Sequence, residues 1–265
     1  ARPRKRGAAA VISDEELLRY SRQIMLPRFD VAGQQKLRDS RVLVLGLGGL
    51  GSPVALYLAA AGVGHLVLAD GDAVDLSNLQ RQVVHAEDSL DHNKAVSAAR
   101  RVARLNPAIR VEAIEAQLAG VDLSSQVEAA DLVVDATDSF ATRLELNRAC
   151  LASGTPWVSG AAIRSEGQLT VFDPRRETPC YRCLYPEGEA EQMLSCSESG
   201  VLAPIVGVIG SLQALEAIKV LASFGEPLYG QMLLVDGWNL DCRRISLRRN
   251  PACPHCSSGP APADA

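Results

Sequence analysis

The sequence lacks the excess of positive charge that is typical of proteins that bind nucleic acids. Its 265 residues include 27 lysines and arginines against 31 aspartates and glutamates, so the formal net charge is -4. The isoelectric point that follows from the sequence is about 5.7. A nucleic acid is therefore not expected among its partners.

The sequence also lacks a long uninterrupted apolar run. A basic cluster stands near its start, but only Gly7 to Ile12 precede an acidic cluster, which is too short for the apolar core of a signal peptide. We expect residues 1–12 to be a disordered tail and residues 257–265 to be a flexible one. The most apolar later stretch, Val201 to Leu221, contains Glu216 and is predicted to be a buried helix, not a membrane span.

The number of cysteines is odd, which argues against a complete set of disulfides. The seven are Cys150, Cys180, Cys183, Cys196, Cys242, Cys253 and Cys256. Without a secretory signal, this count and the two C-x-x-C pairs indicate a reducing compartment, which predicts a cytoplasmic protein, and metal chemistry.

Strand and helix signals alternate over residues 13–160. Predicted strands are Val42–Leu45, Leu66–Ala69, Val111–Ile114, Leu132–Val134 and Trp157–Val158. Predicted helices are Ser13–Leu26, which opens with a capping box, and Gly49–Ala61, Asn93–Leu105 and Phe140–Ala152. This alternation predicts an α/β fold with a Rossmann-like, doubly wound, mostly parallel sheet.

The pattern changes over residues 161–256. Strands are predicted at Gly167–Phe172, Gln231–Val235 and Cys242–Leu247, which are joined as in an antiparallel sheet. We expect both halves to form a single domain over residues 13–256.

A glycine-rich turn follows the first predicted strand. Gly46, Gly48 and Gly51 have the spacing G-x-G-x-x-G at the start of a helix, where backbone N–H groups bind phosphate. Asp70 ends the next strand, in the place of a carboxylate that holds ribose hydroxyls. The motif predicts a nucleotide but does not separate NAD from ATP, and a tight turn without a ligand is the plainer alternative.

The residues after Asp70 favour a phosphate reaction. They include Asp72, Asp75, Asn78, Arg81 and Lys94. Hydride transfer needs few cations, whereas breaking a phosphoanhydride requires fixed positive charge around the moving phosphoryl group. Either cation alone would be read as a solvated surface charge.

Asp138 follows another strand end, in the sequence DATDS. Strand ends at that edge of an open α/β sheet face the ligand crevice, and a carboxylate there suits Mg²⁺. Its alternative role is the N-cap of the helix that begins at Phe140.

The two C-x-x-C pairs predict a structural zinc site. They are Cys180–Cys183 and Cys253–Cys256, and four thiolates leave no open position for catalysis. Cys196 precedes a predicted helix start, which makes it a candidate nucleophile. The alternative interpretation, which the sequence supports equally, is a free thiol without a catalytic role. Cys150 and Cys242 lie on apolar faces and are predicted to be core residues.

Several segments together resemble a known family. They are RYSRQI (Arg19–Ile24), GLGGLG (Gly46–Gly51), DLSNLQRQ (Asp75–Gln82), DATDS (Asp135–Ser139), SGAAIRSEGQLTVF (Ser159–Phe172), PCYRC (Pro179–Cys183) and GVLAPIVGVIGSLQALEAIK (Gly200–Lys219). They look like the bacterial adenylyltransferases, of the MoeB/ThiF type, that activate ubiquitin-like sulfur carriers for molybdopterin and thiamine synthesis. The resemblance runs from about Ser13 to Cys256.

The resemblance implies a role for each matched position. It implies ATP, Mg²⁺ and Zn²⁺ as cofactors and a small carrier protein ending in Gly-Gly as partner, bound by residues 161–256. ATP would be held by Gly46, Gly48, Gly49, Gly51, Asp70, Asn78, Arg81 and Lys94. Asp138 would bind Mg²⁺, and the cysteines of the two pairs would bind Zn²⁺. Cys196 matches a cysteine that links covalently to the carrier in some members.

The resemblance also implies a homodimer, in which Arg22 reaches the active site of the other subunit. Two alternatives stay open: an NAD(P)-dependent oxidoreductase with structural zinc, and a scaffold that binds ATP without chemistry. A tRNA-modifying dehydratase branch of the superfamily is less attractive because of the acidic isoelectric point and the cysteine pairs. No membrane partner is expected.

Overall fold

The structure is a computed structural model that describes residues 12–186 and 200–257. Cys196 and nearly all of the two predicted tails lie outside these residues.

Eight strands form one mixed sheet. They are β1 (Arg41–Leu45), β2 (His65–Ala69), β3 (Arg110–Ile114), β4 (Leu132–Asp135), β5 (Trp157–Ile163), β6 (Glu166–Phe172), β7 (Gln231–Asp236) and β8 (Asp241–Ser246). Their order is β3-β2-β1-β4-β5-β6-β7-β8. The first five strands pair in parallel, and the pairs from β5 to β8 are antiparallel. The predicted mostly parallel sheet with an antiparallel extension is confirmed.

Helices cover the sheet and connect its strands. They are α1 (Asp14–Arg19), α2 (Ser21–Ile24), α3 (Asp30–Arg38), α4 (Gly51–Ala61), α5 (Lys94–Leu105), α6 (Gly120–Ala129), α7 (Phe140–Ser153), α8 (Tyr181–Leu184) and α9 (Ala203–Ala222). The sequence analysis did not predict α3 and α6. Each buries few apolar side chains (only Leu37 in α3, and Leu123 and Val127 in α6), so its periodicity is weak.

The predicted helix at Ser13–Leu26 is only partly correct. Its capping box is present, since the Ser13 side chain accepts from the Glu16 N–H and the Glu16 side chain accepts from the Ser13 N–H. The helix is interrupted at Tyr20, whose side chain is buried and whose hydroxyl accepts a hydrogen bond from Asn106, 2.8 Å away.

The central strands are buried on both faces. In β1, Val42 and Val44 join a core with Leu58 of α4, whereas Leu43 and Leu45 join a second core on the opposite face with α6 and α7. Alternate residues of a strand point to opposite faces, so near-continuous apolar runs are required here.

Helix α9 is long and apolar enough to cross a membrane, yet half of its most apolar part is buried inside the described molecule. Ile209, Ala214 and Ala217 pack into the cores. Glu216 is also buried, where its carboxylate accepts from the Leu228 N–H at 2.8 Å and pairs with Lys219. The helix is therefore a core element, as predicted from its polar residues.

The prediction for the two isolated cysteines is half right. Cys150 is fully buried in α7, but Cys242 is exposed in β8. Every residue of β8 is exposed because this strand forms the sheet edge and no described helix covers it. Alternation of apolar and polar residues does not tell a covered strand from an uncovered one.

Candidate active site

A cleft of about 980 Å³ opens at the carboxyl ends of the parallel strands. The strand order reverses between β1 and β4, and open α/β sheets bind ligands at this switch point. The cleft lining includes most of the predicted nucleotide residues: Gly46, Gly48, Gly49, Asp70, Asn78, Arg81, Lys94 and Asp138. The fold thus brings together residues that lie up to 92 positions apart in the sequence.

The glycine-rich turn is shaped by close backbone packing. Gly46 has a φ of +84°, a conformation that favours glycine. A Cβ atom at Gly51 would lie 1.9 Å from the carbonyl oxygen of Gly46, so this position admits no side chain. Gly51 is not among the residues that line the cleft, and its predicted contact with a nucleotide stays a prediction.

Asp70 connects the turn to the strand beside it. One carboxylate oxygen accepts from the Leu47 N–H at 2.7 Å, and the other accepts from the Asp72 N–H at 2.8 Å. Burial raises the pKa of the Asp70 carboxyl, and these two backbone donors oppose that rise. Each oxygen retains a lone pair, so the carboxylate is still able to accept hydroxyl groups from a ligand in the cleft.

Two cations border the cleft near the glycine-rich turn. The Nζ atom of Lys94 lies 2.8 Å from a carboxylate oxygen of Asp72, and only 9% of the lysine side chain is exposed. The guanidinium of Arg81 donates to the Ser77 carbonyl at 3.0 Å and otherwise faces the cleft. The cleft therefore offers backbone N–H groups and fixed positive charge, which together suit a polyphosphate.

Asp138 lines the cleft and is exposed to it. Its alternative role as the N-cap of α7 is wrong, because the cap is Ser139, whose hydroxyl accepts from the Thr142 N–H at 3.2 Å. The Asp138 carboxylate is thus not engaged in capping the helix.

An ion pair inside the protein holds the loop that carries Asp138. The Nε atom of Arg143 donates to a carboxylate oxygen of Asp135 at 2.9 Å, and both side chains are almost fully buried. Arg143 also donates to the carbonyls of Thr137 and Gly160, so it joins the loop to β5. Burial lowers the pKa of Arg143, but the charges and hydrogen bonds of Asp135 and Tyr181 together raise it above its usual value.

The four paired cysteines lie together away from the cleft. The Sγ atom of Cys180 lies 3.9 Å from that of Cys183 and 3.8 Å from that of Cys253. The Sγ atoms of Cys183 and Cys256 are 3.5 Å apart. All four sulfur atoms lie within 4.8 Å of one another. Thiolates around a tetrahedral zinc ion, each at about 2.3 Å, are about 3.8 Å apart, so the cluster fits zinc.

Residues 20–255 match the model of the ThiF family. The chain belongs to the ThiF family. It is similar to the molybdopterin-synthase adenylyltransferase of Escherichia coli (strain K12), with 49% identity over 247 residues, which are 93% of this chain and 99% of that protein. It is also similar to the sulfur carrier protein ThiS adenylyltransferase of the same organism, with 48% identity over 250 residues, or 94% and 99% of the two chains.

A solved structure shares the fold. The crystal structure of E. coli MccB with AMPCPP and MccA has a TM-score of 0.74 and 26% sequence identity, and the match covers 85% of this chain and 69% of that chain. The α/β architecture of this ThiF-family chain is therefore found in a structure determined with a nucleotide analogue.

One predicted catalytic residue of this ThiF-family chain, Arg22, is not among the described residues that line the cleft. Arg22 lies on α2 with an exposed side chain. Its predicted action on another subunit stays a prediction. Cys196 lies outside the described residues.

Several functional candidates were missed by the sequence analysis. Gln82 is buried against Gly48 and lines the cleft, and its Oε1 atom has no hydrogen-bond partner among the described residues. The others are His85, Asp135, Arg143, Glu166, Asp236, Asp241 and Arg243. Asp135 and Gln82 stand inside quoted motifs, which was a signal. Arg143 and His85 carry none, because only the folded chain shows their partners.

We expect Arg143→Met to destabilise the protein by about 3–5 kcal/mol, because Asp135 would keep a buried charge without its partner. The free energy of unfolding in urea measures this. Arg148→Met is the matched control, since Arg148 is an exposed residue of the same helix. A loss of less than 1 kcal/mol in Arg143→Met would contradict this account of the ion pair.

Proposed function

We propose that the protein uses ATP to adenylate the C-terminal glycine carboxylate of a small ubiquitin-like sulfur-carrier protein. Pyrophosphate is released, and the adenylated carrier is the activated form for sulfur transfer in molybdopterin or thiamine biosynthesis. The observation that carries this proposal is the single cleft in which the glycine-rich turn, Arg81, Lys94 and Asp138 meet. Identities near 48% to two adenylyltransferases over almost their full length support it.

We infer contacts with ATP for several of the residues that line the cleft. The backbone at Gly48 and Gly49 would approach the phosphates, and Asp70 would accept the ribose hydroxyls. Asn78, Arg81 and Lys94 would hold the triphosphate. Asp138 would hold Mg²⁺, which adds positive charge next to the phosphates when it is bound.

The reaction needs charge stabilisation more than proton transfer. The carrier's terminal carboxylate is already ionised at neutral pH, so its attack on the α-phosphorus requires no general base. The bond from the α-phosphorus to the bridging oxygen breaks, and pyrophosphate leaves with that electron pair. Arg81 and Lys94, together with Arg22 from a second copy of the chain, would stabilise the charge on the phosphates. Hydride transfer by a dehydrogenase needs fewer such cations.

The four-cysteine cluster would hold zinc in a structural role. Cys253 and Cys256 follow β8, whereas Cys180 precedes α8 and Cys183 lies within it, and α8 packs on α7. A metal there would fasten the chain after β8 to the helix layer beside the cleft. The cluster has no open coordination position, so it takes no part in the reaction. We place the enzyme in the cytoplasm, where such thiols stay reduced.

The purified protein is expected to catalyse ATP–pyrophosphate exchange when it is mixed with one of a panel of small carriers ending in Gly-Gly. Arg81→Ala and Asp138→Ala should each lower the exchange rate by about 10²–10³, which is typical when one charge-stabilising group is removed. Exposed Arg148→Ala and Asp122→Ala are the matched controls and should retain the wild-type rate.

Titrations with ATP and with NADH, made beside this assay, distinguish the proposed function from two others. ATP binding without exchange for any carrier would favour a scaffold. Tight NADH binding without ATP binding would favour an oxidoreductase. Unchanged exchange in both cleft variants would refute the assigned roles even if the overall reaction stands.

Cys180→Ser is expected to lose bound zinc and to lower the Tm by about 10 °C, because the binding free energy of a structural metal is part of the folding free energy. Metal analysis and thermal unfolding measure the two effects. Cys242→Ser is the control, since this cysteine is exposed and apart from the cluster. Equal zinc content in both variants would contradict the assignment.

The dimer proposal predicts complementation between two inactive variants. Arg22→Ala and Arg81→Ala should each be inactive alone, but a mixed dimer contains one site with both arginines intact. After subunit exchange, the mixture should recover about a quarter of the wild-type activity, since half of the dimers are mixed. No recovery, with mixed dimers shown by native mass spectrometry, would mean that Arg22 does not act across subunits.

A further inference from the structure

His85 is a buried histidine that uses both ring nitrogens. Its Nε2 atom lies 2.9 Å from the carbonyl oxygen of Leu47, inside the glycine-rich turn. Its Nδ1 atom lies 2.8 Å from the hydroxyl of Ser97, on helix α5. The side chain therefore links two separate elements that border the cleft.

The partners of the imidazole determine where its proton lies. A carbonyl oxygen only accepts, so Nε2 carries the hydrogen and donates to Leu47. In the neutral ring Nδ1 is then an acceptor, which matches the hydroxyl of Ser97 as donor. Burial lowers the pKa of His85, and the positive charge of Lys94 also lowers it, so the neutral form is present at neutral pH.

Leu47 is held from both sides of its backbone. Its carbonyl accepts from His85, and its N–H donates to the carboxylate of Asp70 at 2.7 Å. Leu47 stands between Gly46 and Gly48, whose conformational freedom would otherwise let this part of the turn move. Two hydrogen bonds thus hold the backbone of Leu47 between Gly46 and Gly48, which line the cleft.

Ser97 lies three positions after Lys94 on the same helix, so the two side chains belong to neighbouring turns. Lys94 in turn binds Asp72, whose own N–H donates to Asp70. These contacts form a closed ring. From His85 the ring runs through Leu47, Asp70 and Asp72 to Lys94. It continues along α5 to Ser97, which contacts His85. His85 is the member whose own side chain contacts both the glycine-rich turn and α5.

His85 does not itself reach the cleft. It is absent from the cleft lining, whereas Asp70, Asp72 and Lys94 are part of it. Any influence on a bound nucleotide therefore passes through the Leu47 backbone and helix α5.

We propose that His85 is a positioning residue, which holds the glycine-rich turn and the Lys94 side chain at a fixed separation for the phosphates of ATP. The inference rests on the proposed function, because it takes ATP as the ligand of the cleft. It assigns to His85 an effect on ATP affinity that packing alone would not produce.

The test compares variants that keep different parts of the imidazole. The amide nitrogen of glutamine reaches the place of Nε2, whereas that of asparagine reaches only the place of Nδ1. We expect His85→Leu and His85→Asn to raise the Kd for ATP about tenfold, since one aligned hydrogen bond is worth about that factor. His85→Gln should stay within about threefold of the wild type, and exposed His92→Gln should equal it.

The same substitutions in a Lys94→Met variant test whether the effect of His85 on ATP affinity passes through Lys94. In Lys94→Met protein the added cost of His85→Leu should fall below about twofold, because the lysine that His85 helps to place is gone. Calorimetric titration of the full chain with ATP measures each Kd, and urea unfolding measures stability in parallel. If His85→Leu does not fold, Ser97→Ala tests the same ring and should raise the Kd about threefold.

The outcomes separate the inference from the proposed function. No ATP binding by the wild-type protein would overturn both. Wild-type binding with an unchanged Kd in His85→Leu or Ser97→Ala would overturn the positioning role alone. Equal loss of stability in all His85 variants, without the selective recovery of affinity in His85→Gln, would show that His85 only packs.

Discussion

Burial of the central parallel strands on both faces is the constraint on which the cleft depends. Strands β1, β2 and β4 are covered by one core on each face, and they pair in parallel with their carboxyl ends at the same edge. Residues that follow these ends, among them Gly46, Asp70 and Asp138, then meet at the point where the strand order reverses. The site is thus a geometric consequence of how the core is covered.

The buried polar groups behind the cleft pair with one another, which leaves the groups that line the cleft available to a ligand. The buried ion pair of Asp135 and Arg143 takes up two charges while holding the loop that carries Asp138. The ring through His85 engages the backbone of Leu47 and leaves the cleft-facing groups of Lys94 and Asp70 near the glycine-rich turn. Buried polar networks of this kind position a site when every member has its partner.

Much of the fold could be predicted from the sequence, and the errors share a physical cause. The parallel strands were found because two-sided burial demands apolar runs, and α5 because its N-cap and periodicity are strong. Helices α3 and α6 were missed since each buries little. Cys242 was misplaced and Asp138 was wrongly considered as an N-cap, because edge exposure and the choice of Ser139 depend on the surrounding chain.

By itself the sequence determined the local chemistry: a glycine turn where no side chain fits at Gly51, cations spaced after Asp70, and four cysteines in two pairs. These three features follow from short-range sterics and residue type, which the sequence itself records. Only the tertiary structure decided that Arg143 pairs with Asp135 and that His85 joins Leu47 to Ser97. Such pairings depend on which distant elements the core brings within hydrogen-bonding distance, and no local pattern records that.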